Sequence, residues 1–142
     1  MGLVYAEIDL TNELDIALNM GGILPETDIR RVRRRALVDS GAYDLVINEE
    51  IKEQLGLLVL DRRRVRTADE RVIEVDMVGP VEVRFENRTT TVRAAVVPNT
   101  SEVLLGAIPM EGLDVVIDPV RERLLVNPES PDAPMSYLKK CA

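Results

Sequence analysis

Apolar and polar residues alternate with a period of two along most of the chain. Val4, Ala6, Ile8 and Leu10 interleave with Tyr5, Glu7 and Asp9, and Leu14, Ile16 and Leu18 continue the rhythm. Arg71, Ile73, Val75 and Met77 oppose Val72, Glu74 and Asp76, while Val81, Val83 and Phe85 oppose Glu82, Arg84 and Glu86. Thr89 to Val97 is dominated by β-branched residues until Pro98 closes the run. Val115-Val116-Ile117 and Leu124-Leu125-Val126 flank Asp118-Pro119-Val120-Arg121, a turn with Pro at its favoured second position. A two-residue period sends successive side chains to opposite faces, so all these segments predict strands. An all-β chain of many short strands packs as a sandwich or a small barrel.

Two short helices interrupt the strands. Asn48 can cap the first, with Glu49 and Glu50 near its positive end, Ile51 and Leu55 on its buried face and Gly56 as its stop. The second spans roughly Ala107 to Glu111, tolerates Pro109 in its first turn and is expected to stop at Gly112. After Asn127 the composition changes: Pro128, Pro131 and Pro134 precede Lys139 and Lys140. The organisation read here is one domain over residues 1–127 and a Pro-rich tail over 128–142, extended or disordered, free to drape over a partner.

Composition narrows the chemistry. The 142 residues suit one domain, and 46% hydrophobic with 30% charged is a globular balance. Aromatics are only 3%, so the core is aliphatic. There is no His, which excludes His-dependent nucleophilic catalysis and His-ligated metals. The single Cys141 excludes an internal disulfide or thiolate cluster and is read as a tail residue. Acid–base work falls to carboxylates, Lys, Tyr or hydroxyls, and no metal or organic cofactor is expected.

A net charge of −7 argues against general nucleic-acid binding. Arginines nevertheless cluster at Arg30, Arg31, Arg33, Arg34 and Arg35, and again at Arg62, Arg63, Arg64 and Arg66. Without interleaved aromatics they read as solvated strand faces rather than a basic binding patch. No apolar run approaches the ~20 residues that span a bilayer, and no basic leader opens the chain, so a cytoplasmic protein without membrane contact is expected. The sequons at Asn87 and Asn99 are read as unmodified for the same reason.

The informative segment is Ala36-Leu37-Val38-Asp39-Ser40-Gly41-Ala42. An apolar strand runs directly into an acid, a hydroxyl and a glycine. Ser40 can bond nearby backbone and fix the turn, and Gly41 permits close approach. Taken alone, the string is an ordinary strand-ending Asx turn. Further along, Val103-Leu104-Leu105-Gly106 leads into a short helix and then Leu113-Asp114-Val115-Val116-Ile117-Asp118-Pro119.

The two motifs in this order resemble the retropepsin-like aspartic proteases, and Leu104 to Glu111, running on to Ile117-Asp118-Pro119, is similar to their prokaryotic single-domain members. The resemblance covers roughly Val32 to Asn127. It implies a small closed β-barrel, one lobe per chain, with two aspartates sharing a proton and activating a water against a peptide carbonyl. Carboxylates ~3 Å apart cannot both ionise cheaply, so one serves as acid and the other as base. With one Asp-Ser-Gly string per chain, the second aspartate would be Asp39 of another copy, making a homodimer.

By the same resemblance, Ser40 would grip the partner's loop, and Gly41 and Ala42 would complete it. Gly106 would let its strand pack tightly there, with Leu104 and Leu105 as support. Arg66 to Val72 falls at the flap that covers an extended peptide, with Thr67, Ala68, Asp69, Glu70 and Arg71 at its tip and Asp44 as a peptide contact. Three departures stand out. Tyr43 and Ala107 replace an acid and an arginine that pair in retroviral members, and the flap tip holds no Gly, so a positive φ there would strain a side chain.

The resulting expectation is an aspartic endopeptidase acting on extended peptides or proteins, its pockets suited to aliphatic side chains. The rival from another class is a non-catalytic dimeric module on the same fold that holds a peptide or nucleic acid. A weaker one is a structural β-domain whose Asp-Ser-Gly turn is accidental.

Overall fold

The computed structural model describes residues 2–136 and Leu138. Lys139, Lys140 and Cys141 lie outside the described residues. The strands are β1 (Tyr5–Asn12), β2 (Arg31–Val38), β3 (Leu45–Ile47), β4 (Leu58–Arg66), β5 (Val72–Phe85), β6 (Arg88–Val96), β7 (Val103–Leu105), β8 (Val115–Asp118) and β9 (Arg123–Val126). The helices are α1 (Glu13–Met20), α2 (Glu49–Leu55) and α3 (Ala107–Leu113), with a short 3-10 turn at Glu26–Asp28. Among the described residues no helix is long and apolar enough to cross a membrane.

Six strands close into a barrel in the order β1-β2-β7-β3-β6-β5, because β1 pairs with both β2 and β5. Closure removes the open edges that a small sheet would otherwise expose. The alternation read from the sequence supplies the filling: Ile8, Leu10, Ala36, Leu45, Ile47, Val81, Val83 and Leu105 all point inward with no exposed surface. Burying each Val, Leu or Ile of this set contributes about 1.5–3 kcal/mol. The β4 strand lies outside the closed set, paired only with β5, and these two form a projecting hairpin. β8 and β9 form a separate two-stranded sheet.

Helix α2 matches its sequence signals. Asn48 Oδ1 accepts from Ile51 N at 2.9 Å, and Gly56 ends the helix in the left-handed region at φ 62°. Two other expectations are corrected. Leu14, Ile16 and Leu18 belong to α1 rather than to a strand, so there are three α-helices instead of two. Asn12 Oδ1 accepts from Asp15 N at 3.1 Å, and Asn12 Nδ2 donates to Leu55 O at 2.8 Å. Asp15 turns inward onto Arg30, whose Nε and Nη2 donate to its two carboxylate oxygens at 2.9 and 3.0 Å. That bidentate contact holds the Asp15 carboxyl below its ordinary range. The polar side of α1 therefore faces the protein, while Leu14 and Leu18 are exposed. Alternation could not reveal a helix built with its polar side inward. Helix α3 runs through Gly112 to Leu113, and its left-handed cap is Asp114 at φ 54°. Gly112 instead makes room for Thr90, whose Oγ1 would lie 2.2 Å from an added Cβ.

The Pro-rich segment is laced to the protein's own barrel. Asn127 Nδ2, Ser130 Oγ and Met135 N all donate to the Asp114 carboxylate, and the buried Arg88 donates to Ser130 O. Asn127 and Ser130, and then the Met135 amide, hold Asp114 down at about 2. This stabilisation is present above the ordinary carboxylate value and is lost as pH falls through about 2.

Glu13 has the opposite sign. Burial, then repulsion from Glu82, raises its pKa against the help of Thr91, and its Oε2 is buried without a partner among the described residues. A raised folded value favours the protonated form, so its contribution is present below the ordinary value of 4.5 and is lost as pH rises past it. Glu13→Gln is therefore expected to unfold at a higher temperature than the wild type at pH 7. The gap should close below pH 4.5, as read by thermal unfolding at both pH values.

Candidate active site

The sequence Ala36-Leu37-Val38 enters the site as the last turn-free stretch of β2, with Ala36 and Val38 in the core. It runs parallel to β7, pairing Ala36 with Val103, Leu37 with Leu104 and Val38 with Leu105. Asp39 N extends this ladder by donating to Leu105 O at 3.0 Å. The chain then turns because Asp39 Oδ1 accepts from Gly41 N at 2.9 Å and Asp39 O accepts from Ala42 N at 3.1 Å. Asp39 itself fixes the turn, not Ser40 as the sequence suggested. Ser40 is exposed and makes no hydrogen bond among the described residues.

The loop floor is Gly106. A Cβ there would lie 2.3 Å from Asp44 O and 2.9 Å from Ala42 O, both backbone atoms. The first amides of α3, which have no partner inside the helix, bond the loop instead. Ala107 N donates to Ala42 O, and Ile108 N to Tyr43 O, each at 2.9 Å. Helix α3 carries no side-chain cap, and the loop does that work. Val46 of β3 pairs with Leu104 and closes the other side. Asp39, Ser40, Gly41 and Ala42 are thus brought together with Leu104, Leu105 and Gly106, though they are more than sixty residues apart in sequence.

Thr67, Ala68, Asp69, Glu70 and Arg71 form the tip of the β4–β5 hairpin. Glu70 N donates to Thr67 O at 3.0 Å, and Thr67 N to Arg71 O at 2.8 Å. The Thr67 hydroxyl donates to Asp69, and with Arg71 it holds that carboxyl below its ordinary range. The positive φ expected to strain this Gly-free tip falls on one residue, Glu70, at 68°. Its ion pair with Arg66 at 3.6 Å is solvent-exposed and contributes little. Glu70→Gly is therefore expected to stabilise the protein by about 0.5–1 kcal/mol, read by denaturant unfolding.

Beneath the hairpin, Val75, Met77 and Ala95 pack with Val46, Val65, Ile73 and Val97. Asp44 faces the hairpin with one of its two carboxylate oxygens. It pairs with Arg63 of β4, Nη1 to Oδ2 at 3.2 Å, and this links the loop to the hairpin arm. Sequence reading missed that pairing, because 19 residues separate the partners and nothing local marks it. Several other arginines are also engaged: Arg30 with Asp15, Arg33 with Asp9, Arg62 with Asp76, and Arg71 with Asp69. Arg35 lies 3.9 Å over the Tyr5 ring.

The family model described as "gag-polyprotein putative aspartyl protease" matches residues 26–109, more than half of the chain. That span begins ahead of β2 and ends within α3, so it takes in the loop, its floor and the hairpin. A search of curated proteins finds no match to the chain.

Proposed function

The chain belongs to the retropepsin-like aspartyl protease family, and from that premise we propose that it is an endopeptidase working as a homodimer, with one Asp39 from each copy in the catalytic pair. The observation that carries this reading is the single Asp39-Ser40-Gly41 loop, seated on Gly106 at one end of a complete barrel. One barrel supplies one carboxylate, and the chemistry needs two.

Its surroundings support a second copy at that end. Asp39 Oδ2 has no partner among the described residues, and the Ser40 hydroxyl is equally available. Leu3, Tyr43 and Ile108, which adjoin the loop or its flanking backbone, are exposed apolar or aromatic side chains. Across the two-fold axis Ser40 would bond the partner's loop. The two Asp39 carboxyls would share a proton, one drawing a proton from water as it attacks the peptide carbonyl, the other protonating the departing amine in turn. The β4–β5 hairpin would cover an extended peptide, whose main chain can bond along the strands while aliphatic pockets take its side chains. Excluding water there strengthens each polar contact.

The test is a mixed peptide library at acidic and neutral pH, with and without a transition-state-mimicking inhibitor. The expected result is inhibitor-sensitive cleavage with a bell-shaped, acid-leaning rate profile. Specific activity should also fall on dilution as dimers dissociate. Absence of cleavage at every pH would sink the reading.

A further inference from the structure

The Asp44–Arg63 pair presents more cation than anion. Arg63 Nη1 bonds Asp44 Oδ2 at 3.2 Å, whereas Nε and Nη2 have no partner among the described residues. The Asp44 side chain keeps 14% of its surface and the Arg63 side chain 41%. Its position is set from both sides. Asp44 lies five residues after Asp39 with its carbonyl against Gly106, and Arg63 stands opposite Val75 on the hairpin arm.

Asp61, Arg63, Val65, Ile73, Val75 and Met77 share one face of that hairpin; Asp61 Oδ1 accepts from Arg62 N at 2.8 Å, and the apolar members close over Val46 and Ala95. The neighbouring arginines lie elsewhere. Arg62 and Arg64 take the opposite face, with Arg62 bonded to Asp76 and Arg64 opposite Glu74, while at the tip Arg66 pairs with Glu70 and Arg71 with Asp69. A peptide held between hairpin and floor would therefore pass one guanidinium with two free N–H edges, set among aliphatic side chains. Such a fork matches a carboxylate bidentately.

We propose that Arg63 is a specificity-determining residue that selects substrates carrying a Glu or Asp side chain where the peptide passes under the hairpin arm, with Asp44 positioning the guanidinium. The proposal rests on the protease reading and adds a substrate class to it.

The test uses the full chain and the library peptide it cleaves best. Copies of that peptide carry Glu, Gln or Lys in turn at each of the positions flanking the scissile bond. At one position, Glu should exceed Gln in kcat/KM by about tenfold, the worth of a charge-assisted hydrogen bond, and Lys should fall below both. Arg63→Ala should bring that ratio to within about twofold. Arg63→Lys, which keeps the charge but not the fork, should leave it intermediate. Asp44→Asn, which removes the competing carboxylate, should widen it. A purely structural role would lower cleavage of every peptide together and leave the ratio in place. Equal cleavage of Glu and Gln at every position, or a ratio that survives Arg63→Ala, overturns the proposal while the protease reading stands. No cleavage of any peptide overturns the protease reading itself.

Discussion

Asp39→Asn is expected to lower peptide cleavage by on the order of 10³-fold or more, with the dimer retained. Asn keeps the shape of the side chain, and its amide oxygen can still accept from Gly41 N, so the turn at 39–42 survives. What it loses is the ability to hold or release a proton, the one property the mechanism asks of this residue. A mixing experiment makes the result sharper. When wild-type and variant chains are equilibrated in equal amounts, a pair assembled across the two-fold axis leaves about a quarter of the activity, because only wild-type homodimers work. A chain that cleaves as a monomer would leave half. Unchanged turnover in the variant, or half-activity in the mixture, contradicts the shared pair.

The second large effect is expected at Gly106. Its backbone is extended, with φ −90° and ψ −172°, a conformation open to any residue, so the requirement is steric rather than conformational. The methyl of Gly106→Ala would meet the carbonyls of Asp44 and Ala42 and the carbonyl carbon of Tyr43, atoms that cannot swing aside without moving the loop. Overpacking of this kind costs about 1–3 kcal/mol. The larger penalty falls on activity, since displacing a catalytic group by about 1 Å can cost 10²-fold. Gly112→Ala is the control. The added methyl would meet the Thr90 side chain, including its Cβ at 2.9 Å, which no rotamer change moves, so stability is expected to fall here too, while turnover falls little because Thr90 lies outside the Asp39 loop and its floor. Comparing melting temperature with kcat across the two variants checks the argument, and equal losses of kcat would contradict it.

Much of the fold was legible in the chain. Period-two alternation located β1 and β5, because a half-buried strand must obey it, while a β-branched run located β6 and two apolar runs around a Pro turn located the β8–β9 hairpin. Asn48 and Gly56 bracketed α2 because an unsatisfied helix end calls for a capping side chain at one end and a left-handed residue at the other. Asp39 was legible for a different reason: strand, acid, small hydroxyl and glycine form a local string, and the later Leu104-Leu105-Gly106 string supplied its context. Other features were hidden by long-range causes. Helix α1 buries Asp15 on Arg30 and exposes its leucines, against the usual pattern. Asp114 gathers Asn127, Ser130 and Met135, so a Pro-rich stretch that composition marks as a tail is strapped down. Glu70 takes the left-handed position usually given to Gly, held by the surrounding hairpin ladder.

What the sequence by itself determined is the inventory: aliphatic strands for one barrel, one acid at the mouth of a buried strand, and no histidine or thiolate cluster for rival chemistry. These follow from side-chain identity and local periodicity, which need no knowledge of distant neighbours. Only the tertiary structure decided which groups meet. It set Gly106 under the Asp39 loop, made the amides of α3 donors to that loop, and turned Asp44 toward Arg63 with the guanidinium left outward. Such contacts depend on strand order and register, properties of the closed barrel as a whole that no single segment encodes.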